Sequence, residues 1–476
     1  MVPALLVGFD LDLTLLDTRP GIAATWRRLA AELNLELDIP AVLDRVGIPL
    51  AQELAHWLPA EQVPAAVEVY RTLYREHGVP GCTPMPGAAS ALAAVEKLGG
   101  RAVVVTAKRA DLAWQCLQHA GLTAGLRPED VTGELAGADK AAALRGATVF
   151  VGDHPLDIEG ARAAGALAVG VSSGASTAAD LAAADVIFPD LTGFSDWLAE
   201  AELERRLGSL LTDLRAVAPV AVAFSGGTDS AFLLAAAARA AGPEQVLAVT
   251  AVSPSLPAAE LAAARRFADE LGVRHETVTT AEMEREGYQA NAGDRCYFCK
   301  AELVDVVAPI AASAGGTVVT GTNADDLVAG FRPGIRAASE RGARTPLADA
   351  RLTKVQIREA SRRWGLTTWD KPAAACLASR VAYGVRITPA RLARVEAAEV
   401  ALRTALAAAD LSATNLRVRD LGEQARVEVD AGLVPVLSER PDLLAAVKGF
   451  GSVEVDPRGF RSGAMNELLP EPERYR

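Results

Sequence analysis

The 476-residue sequence contains no apolar run of the ~20 residues that a membrane-spanning helix requires. Its first residues, Met-Val-Pro-Ala-Leu-Leu-Val-Gly-Phe-Asp, have no basic segment and turn acidic at once. They read as the start of a strand rather than as a secretory leader. Cysteine is scarce: five residues, an odd number in a long chain, do not build a disulfide scaffold. A cytoplasmic location in a reducing compartment follows as the expectation. There is no repeat of solenoid length and no low-complexity linker. Excess positive charge is also lacking, since the net charge is −12. The acid is concentrated in residues 1–200, with 14 Lys+Arg against 25 Asp+Glu. Residues 351–400 reverse the balance, with ten basic and four acidic side chains. That local patch suits phosphorylated small molecules, and no broad nucleic-acid surface is expected.

What is present is ordered. Half of the residues are hydrophobic, enough for ordinary cores, and the length suits about three domains. Short apolar runs at Val2–Phe9, Arg101–Val105 and Thr148–Val151 predict buried strands. So do those at Val220–Phe224, Val246–Val252, His275–Val278 and Thr317–Thr320. Helical stretches separate them, which predicts an α/β class with two doubly wound parallel sheets. The segment from Asp17 to about Met85 reads as helical, with Trp26, Trp57, Tyr70 and Tyr74 as packing residues. A boundary is expected near 190–203, giving domains 1–198, 203–385 and 386–476. The last is a small α+β piece with a helix over Pro389–Ala408 and strands at Leu416–Arg419 and Ala425–Val429.

The first strand delivers Asp10-Leu-Asp12-Leu-Thr14 at its end. Two carboxylates spaced i, i+2 there can converge on one metal and one phosphate. Thr106 ends a later strand, and Lys140 is expected to open a helix. The strand 148–151 runs into Gly152-Asp153-His-Pro-Leu-Asp157. In this order the four elements resemble the haloacid-dehalogenase superfamily, in its phosphoglycolate-phosphatase-like branch, over about residues 3–198. The resemblance implies a helical cap over about 17–86, and Asp10 as the nucleophile toward a phosphoryl group. It implies Asp12 as general acid/base, and Thr106 and Lys140 holding the phosphoryl oxygens. Mg2+ would be bound at Asp10, Asp12 and Asp153, with Asp157 supporting them. Attack by a carboxylate on a dianion needs such a cation and a lysine to offset repulsion. Leu13 departs from the glycine common at its place in that family.

In the second half, Val220–Phe224 leads into Ser225-Gly-Gly-Thr-Asp-Ser230 and an alanine- and leucine-rich helix. A strand, a small-residue loop and a helix start gather backbone N–H groups around one anion. There is no Gly-Lys-Ser/Thr ending, so this is not the P-loop of kinases. The hexamer resembles the PP-loop of ATP pyrophosphatases, which cleave ATP between its α and β phosphates. Three cysteines stand in this half: Cys296 and Cys299 in Arg-Cys-Tyr-Phe-Cys-Lys300, and Cys376 in Cys-Leu-Ala-Ser-Arg380. A lone Cys-x-x-Cys is ambiguous between redox pair, zinc half-site and iron–sulfur ligand. Three thiolates make a poor closed zinc site but suit a [4Fe-4S] cluster with one iron open.

The same motifs continue through Gly321-Thr-Asn-Ala-Asp-Asp326, Phe331-Arg-Pro-Gly-Ile-Arg-Ala337, Arg417-Val-Arg419, Ala425-Arg-Val-Glu428 and Gly459-Phe-Arg-Ser-Gly463. Together they resemble the LarE family over about residues 203–466, the ATP-dependent sulfur transferases that mature the nickel-pincer nucleotide of lactate racemase. The resemblance implies adenylation of a carboxylate of a pyridinium biscarboxylate mononucleotide, and then displacement of AMP by sulfur. Ser225, Gly226, Gly227, Asp229 and Ser230 would cradle pyrophosphate. Ser379, Arg380, Arg417 and Arg419 would grip the substrate phosphate, with Glu399 and Glu428 orienting them. Cys376 would take part in sulfur transfer, and Cys296, Cys299 and Cys376 would ligate the cluster. Family members assemble as oligomers. A tRNA-thiolating or amide-forming PP-loop enzyme, or a phosphatase with an inert PP-loop domain, stands as the alternative. For the phosphatase half, AMP, or a damaged or off-path mononucleotide, is the favoured substrate expectation.

Overall fold

The computed structural model describes residues 3–174, 176–328, 333–372, 375–461 and 463–469. Val2, Phe331, Arg332, Ala373, Ala374 and Ser462, all within stretches read above, lie outside the described residues. The chain divides into two compact units, 3–204 and 205–476. The division falls inside one continuous helix, Phe194–Val217. Among the described residues no helix is long and apolar enough to cross a membrane.

In the first unit, valine-rich runs buried on both faces form a six-stranded sheet. Its order is Val131–Thr132, Arg101–Val105, Leu6–Phe9, Val149–Gly152, Leu167–Val171, Val186–Phe188, with every pairing parallel. Phe9 lies beside Val104 on one side and Val151 on the other. The residues that follow these strands, Asp10, Thr106 and Asp153, therefore leave the sheet at one edge. The segment expected to form a cap consists of helices: Arg19–Leu33, Ile39–Leu43, Leu50–Leu54 and Val63–Leu73, continued by a π-helical turn at Tyr74–Gly78. Trp26, Tyr70 and Tyr74 are buried and mutually packed, with ring centroids 5.3 and 5.8 Å apart. Trp57 is partly buried, and its indole donates to Glu53 Oε1 at 2.9 Å. Lys140 does not open an α-helix. It sits within a 3-10 helix, Gly137–Ala142, where the Asp139 amide donates to Ala136 O three residues back at 3.2 Å.

The second unit is built on a four-stranded parallel sheet ordered Arg274–Thr279, Val246–Val252, Val220–Ala223, Thr317–Thr320. The helix that follows the central strand starts at Thr228, two residues earlier than expected. A three-stranded sheet closes the unit, with Gln424–Val429 antiparallel to Leu416–Asp420 and parallel to Ser452–Val455. The helix Pro389–Ala408 lays Ala398, Leu402 and Leu406 on it, against Leu416, Val418 and Val427.

One charge holds this last piece together. Asp420 is fully buried and accepts from Arg391 at 2.8 Å, from Arg394 at 2.7 Å and from the Gly422 amide at 2.9 Å. It ties the helix to the hairpin turn. Asp420→Ala would strand two guanidinium groups, and is expected to lower stability by about 2 kcal/mol in urea unfolding.

Candidate functional sites

In the first unit the Asp10 amide donates to Val151 O at 2.8 Å, and its side chain enters a buried carboxylate group. One carboxylate oxygen each of Asp10, Asp153 and Asp157 lies within 4.8 Å of the others. Lys140 Nζ bridges Asp10 Oδ1 at 2.7 Å and Asp157 Oδ1 at 2.6 Å, and Thr14 Oγ1 donates to Asp153 at 3.1 Å. Burial pushes Asp10 up to about 7, while the charge of Lys140 acts to lower it. Burial also pushes Asp153 up, and the charges of Asp157 and Asp10 add to this. Against the cost of its own burial, Lys140 is held above its ordinary range by Asp10 and Asp157.

The carboxylate of Asp12 stands outside this group. It accepts from Thr18 Oγ1 at 2.5 Å and pairs with Lys108 Nζ at 3.0 Å. Asp157 takes the third place expected of Asp12 among the grouped carboxylates. Lys108, which the motif reading passed over, also lies 4.5 Å from the Tyr74 ring centroid. Its signal in sequence was its place two residues beyond Thr106, whose hydroxyl accepts the Lys108 amide at 3.2 Å. Leu13 has φ 61°, the left-handed region where glycine is at ease. That explains the glycine at this place in the resembled family and the strain that leucine bears here. The three grouped, buried carboxylates share one ammonium group, Lys140, a formal excess of two negative charges that fits a divalent cation.

In the second unit, Gly226 has φ 71° and turns the chain from the strand into the helix. Ser225 and Ser230 hydroxyls meet at 3.1 Å, and Ser230 Oγ also donates to Gly227 O at 3.1 Å. Asp229 Oδ2 pairs with Lys354 at 3.1 Å, and its Oδ1 is buried with no hydrogen bond. That orphaned oxygen fits a ligand donor or cation of a bound nucleotide. Lys371 Nζ braces the loop through Gly226 O at 2.9 Å and Glu260 at 2.7 Å.

A cleft of about 640 Å³ opens on this loop, and its walls include Ser225, Asp229, Cys296, Ser379, Arg417 and Arg419. That volume suits a nucleotide-sized ligand. Arg419 pairs with Glu428 at 2.6 Å and donates to Ser379 O at 3.2 Å. Burial, with the charge of Arg380 behind it, pushes Arg417 down to about 10. Arg380 is placed differently from its expected role. It is almost fully buried, pairs with Glu399 at 3.0 Å and donates to Cys376 O at 3.0 Å. It holds the Cys376 segment and is not part of the cleft wall.

Residues 7–171 match the family model of haloacid dehalogenase-like hydrolases, and residues 208–421 match that of asparagine synthase. The chain is 40% identical over 273 residues to an uncharacterized protein, slr1717, of a Synechocystis strain, covering 56% of this chain and 99% of that protein. It is 32% identical over 276 residues to the pyridinium-3,5-bisthiocarboxylic acid mononucleotide synthase of Lactiplantibacillus plantarum, covering 57% of this chain and 98% of that protein. A probable phosphatase, IndB, of Dickeya dadantii is 34% identical over 203 residues, covering 38% of this chain and 86% of that protein. The chain belongs to two families, the haloacid dehalogenase-like hydrolases and the LarE-type PP-loop enzymes.

In the LarE-type unit, Cys296 and Cys376 are exposed and Cys299 is half-buried. Burial, then the charges of Cys376 and Cys296, push the Cys299 thiol up. Among the described residues the three sulfurs do not form a group tight enough for a single ion. Arg295, unforeseen from sequence, donates to Ala378 O at 3.0 Å from the helix that carries Cys296. It joins the Cys-x-x-Cys to the Cys376 segment. Lys300, beside them in the cleft wall, is pushed below its ordinary range by burial.

In the hydrolase unit, a Cβ added to Gly152 would stand 2.3 Å from Asp157 Cβ and Cγ. Gly152→Ala is expected to displace Asp157 and Lys140. Mg2+ binding, titrated by calorimetry, should weaken about tenfold or more while far-UV circular dichroism is unchanged.

Proposed function

We propose that the second unit is an ATP-dependent sulfur transferase acting on a pyridinium-3,5-biscarboxylate mononucleotide, and that the first is a Mg2+-dependent phosphatase. The single observation behind the transferase reading is one cleft lined by the PP-loop, Cys296, Arg417 and Arg419. The name of the 32% identical synthase supports the substrate.

In the transferase, Ser225, Gly226, Gly227, Asp229 and Ser230 receive the β and γ phosphates of ATP at the helix N-terminus. A substrate carboxylate oxygen attacks the α-phosphorus, and the α–β anhydride bond breaks to release pyrophosphate. The acyl adenylate then accepts sulfur at its carbonyl carbon, and the C–O bond to AMP breaks. A thiocarboxylate and AMP result. Ser379, Arg417 and Arg419 hold the substrate phosphate. Arg380, Glu399 and Glu428 keep the Cys376 loop and Arg419 in position. Cys296, Cys299 and Cys376 would hold a [4Fe-4S] cluster, whose open iron supplies a site for an additional sulfide.

In the phosphatase, the ionised Asp10 attacks phosphorus and the ester oxygen leaves. Asp12 protonates that oxygen and afterwards takes a proton from the water that hydrolyses the aspartyl phosphate. Lys140 and Thr106 hold phosphoryl oxygens, and Asp10, Asp153 and Asp157 would hold Mg2+, which neutralises charge on the phosphoryl group.

Asp229→Ala is expected to reduce ATP- and substrate-dependent pyrophosphate release at least 100-fold, with Asp10-dependent phosphate release unchanged. Equal loss of both in a folded variant would contradict separate sites. Protein prepared without oxygen is expected to carry about four irons per chain, and Cys296→Ala and Cys299→Ala each to lose them. Full sulfur transfer by both variants, with Cys376 converted to dehydroalanine, would show instead that Cys376 is the sulfur donor.

A further inference from the structure

Resting on the phosphatase reading of the first unit, we propose that its substrate is a phosphomonoester of a compact, uncharged and largely apolar alcohol. The site's own geometry carries this.

Beside Asp12 and Lys108 lies a second cavity of about 100 Å³, formed between the cap helices and the sheet edge. It is where the alcohol portion of an ester would rest once its phosphoryl group reached Asp10. Its apolar walls include Ile22, Trp26, Val42, Ile48, Leu50 and Tyr70, with Glu53 and Tyr74 also lining it. Four cations also border it, and each is already matched. Arg45 grips Glu53 with two bonds, at 2.7 and 2.6 Å. Arg71 pairs with Glu68 at 2.8 Å and with Glu134, and Arg109 pairs with Asp111 at 2.5 Å. Lys108 is held on Asp12 at 3.0 Å.

Two substrate classes are disfavoured by this arrangement. A carboxylate-bearing ester would bring a charge against aliphatic and aromatic walls, with every nearby cation engaged elsewhere, and burial of an unpaired charge is costly. A nucleoside would not be held within the cavity. An apolar protein cavity of about 150 Å³ is filled by a single benzene ring, and this one is smaller. AMP, the expectation from sequence, therefore gives way to an alcohol of four or so carbons.

The test uses the full-length, Mg2+-supplied protein and its Asp10→Asn variant with isobutyl phosphate, AMP, phosphoglycolate and acetyl phosphate. Acetyl phosphate has almost no leaving-group bulk and reports on the phosphatase chemistry alone. Its cleavage by the wild type, lost in Asp10→Asn, confirms that chemistry, and its absence would remove the phosphatase reading itself. Given cleavage, kcat/KM for isobutyl phosphate is expected to exceed that for AMP and for phosphoglycolate by at least about tenfold. A smaller margin, faster turnover of either rival, or no turnover of isobutyl phosphate would overturn the proposal.

Discussion

Parallel strand pairing sends every strand of a sheet out at the same edge, and both units of this chain build their chemistry there. Phe9, Val104 and Val151 lie side by side in the first sheet, so Asp10, Thr106 and Asp153 emerge together. In the second, Val220 pairs with both Val246 and Thr317, and Ser225 and Gly321 follow from neighbouring strands. The closeness of the latter is steric: a Cβ on Gly321 would lie 2.9 Å from the Ser230 amide nitrogen. Nothing larger fits between the PP-loop helix and the next strand's loop.

At such an edge the two units handle charge differently. The first buries it. Asp10, Asp153 and Asp157 are drawn together around Lys140 while Asp12 pairs with Lys108, and burial, with the neighbouring carboxylate charges adding to it, raises Asp10 and Asp153. Such a site favours a divalent cation and a phosphoryl dianion arriving together. The second unit leaves its cleft open and spends buried arginines on its walls. Arg417 and Arg419 sit under 10% exposed, and Arg417 is pushed down by its own burial. Guanidinium groups that have already lost part of their water pair more strongly with an anion than exposed ones do.

The cysteines show how packing assigns roles to similar residues. Cys82 and Cys116 are buried in the first unit around the Tyr74 hydroxyl, at 3.7 and 3.9 Å, and act as packing groups. Cys296 and Cys376 are exposed beside the cleft segments, linked through Arg295. Arg380, which by motif belongs with the phosphate-binding arginines, is instead turned inward on Glu399 and the Cys376 carbonyl.

Much was already legible in the chain. Apolar runs bounded by glycine and acid located most strands, though not Val131–Thr132, Leu167–Val171, Val186–Phe188 or Ser452–Val455, and the Asp-x-Asp and Ser-Gly-Gly-Thr-Asp-Ser stretches marked two strand ends, because strand ends and helix starts are local events read within about ten residues. The sequence likewise settled the charge imbalance between the halves and the presence of three candidate sulfur ligands. Only the tertiary structure decided which partners those residues take. Lys140 reaches Asp10 across 130 positions, Lys354 reaches Asp229 across 125, and Thr14 reaches Asp153 across 139. The meeting of Lys108 with Asp12 and the small apolar cavity beside them belong to the same class. Such pairings depend on how separate helices and strands pack, and hydrophobic periodicity says which face is buried without saying what it is buried against.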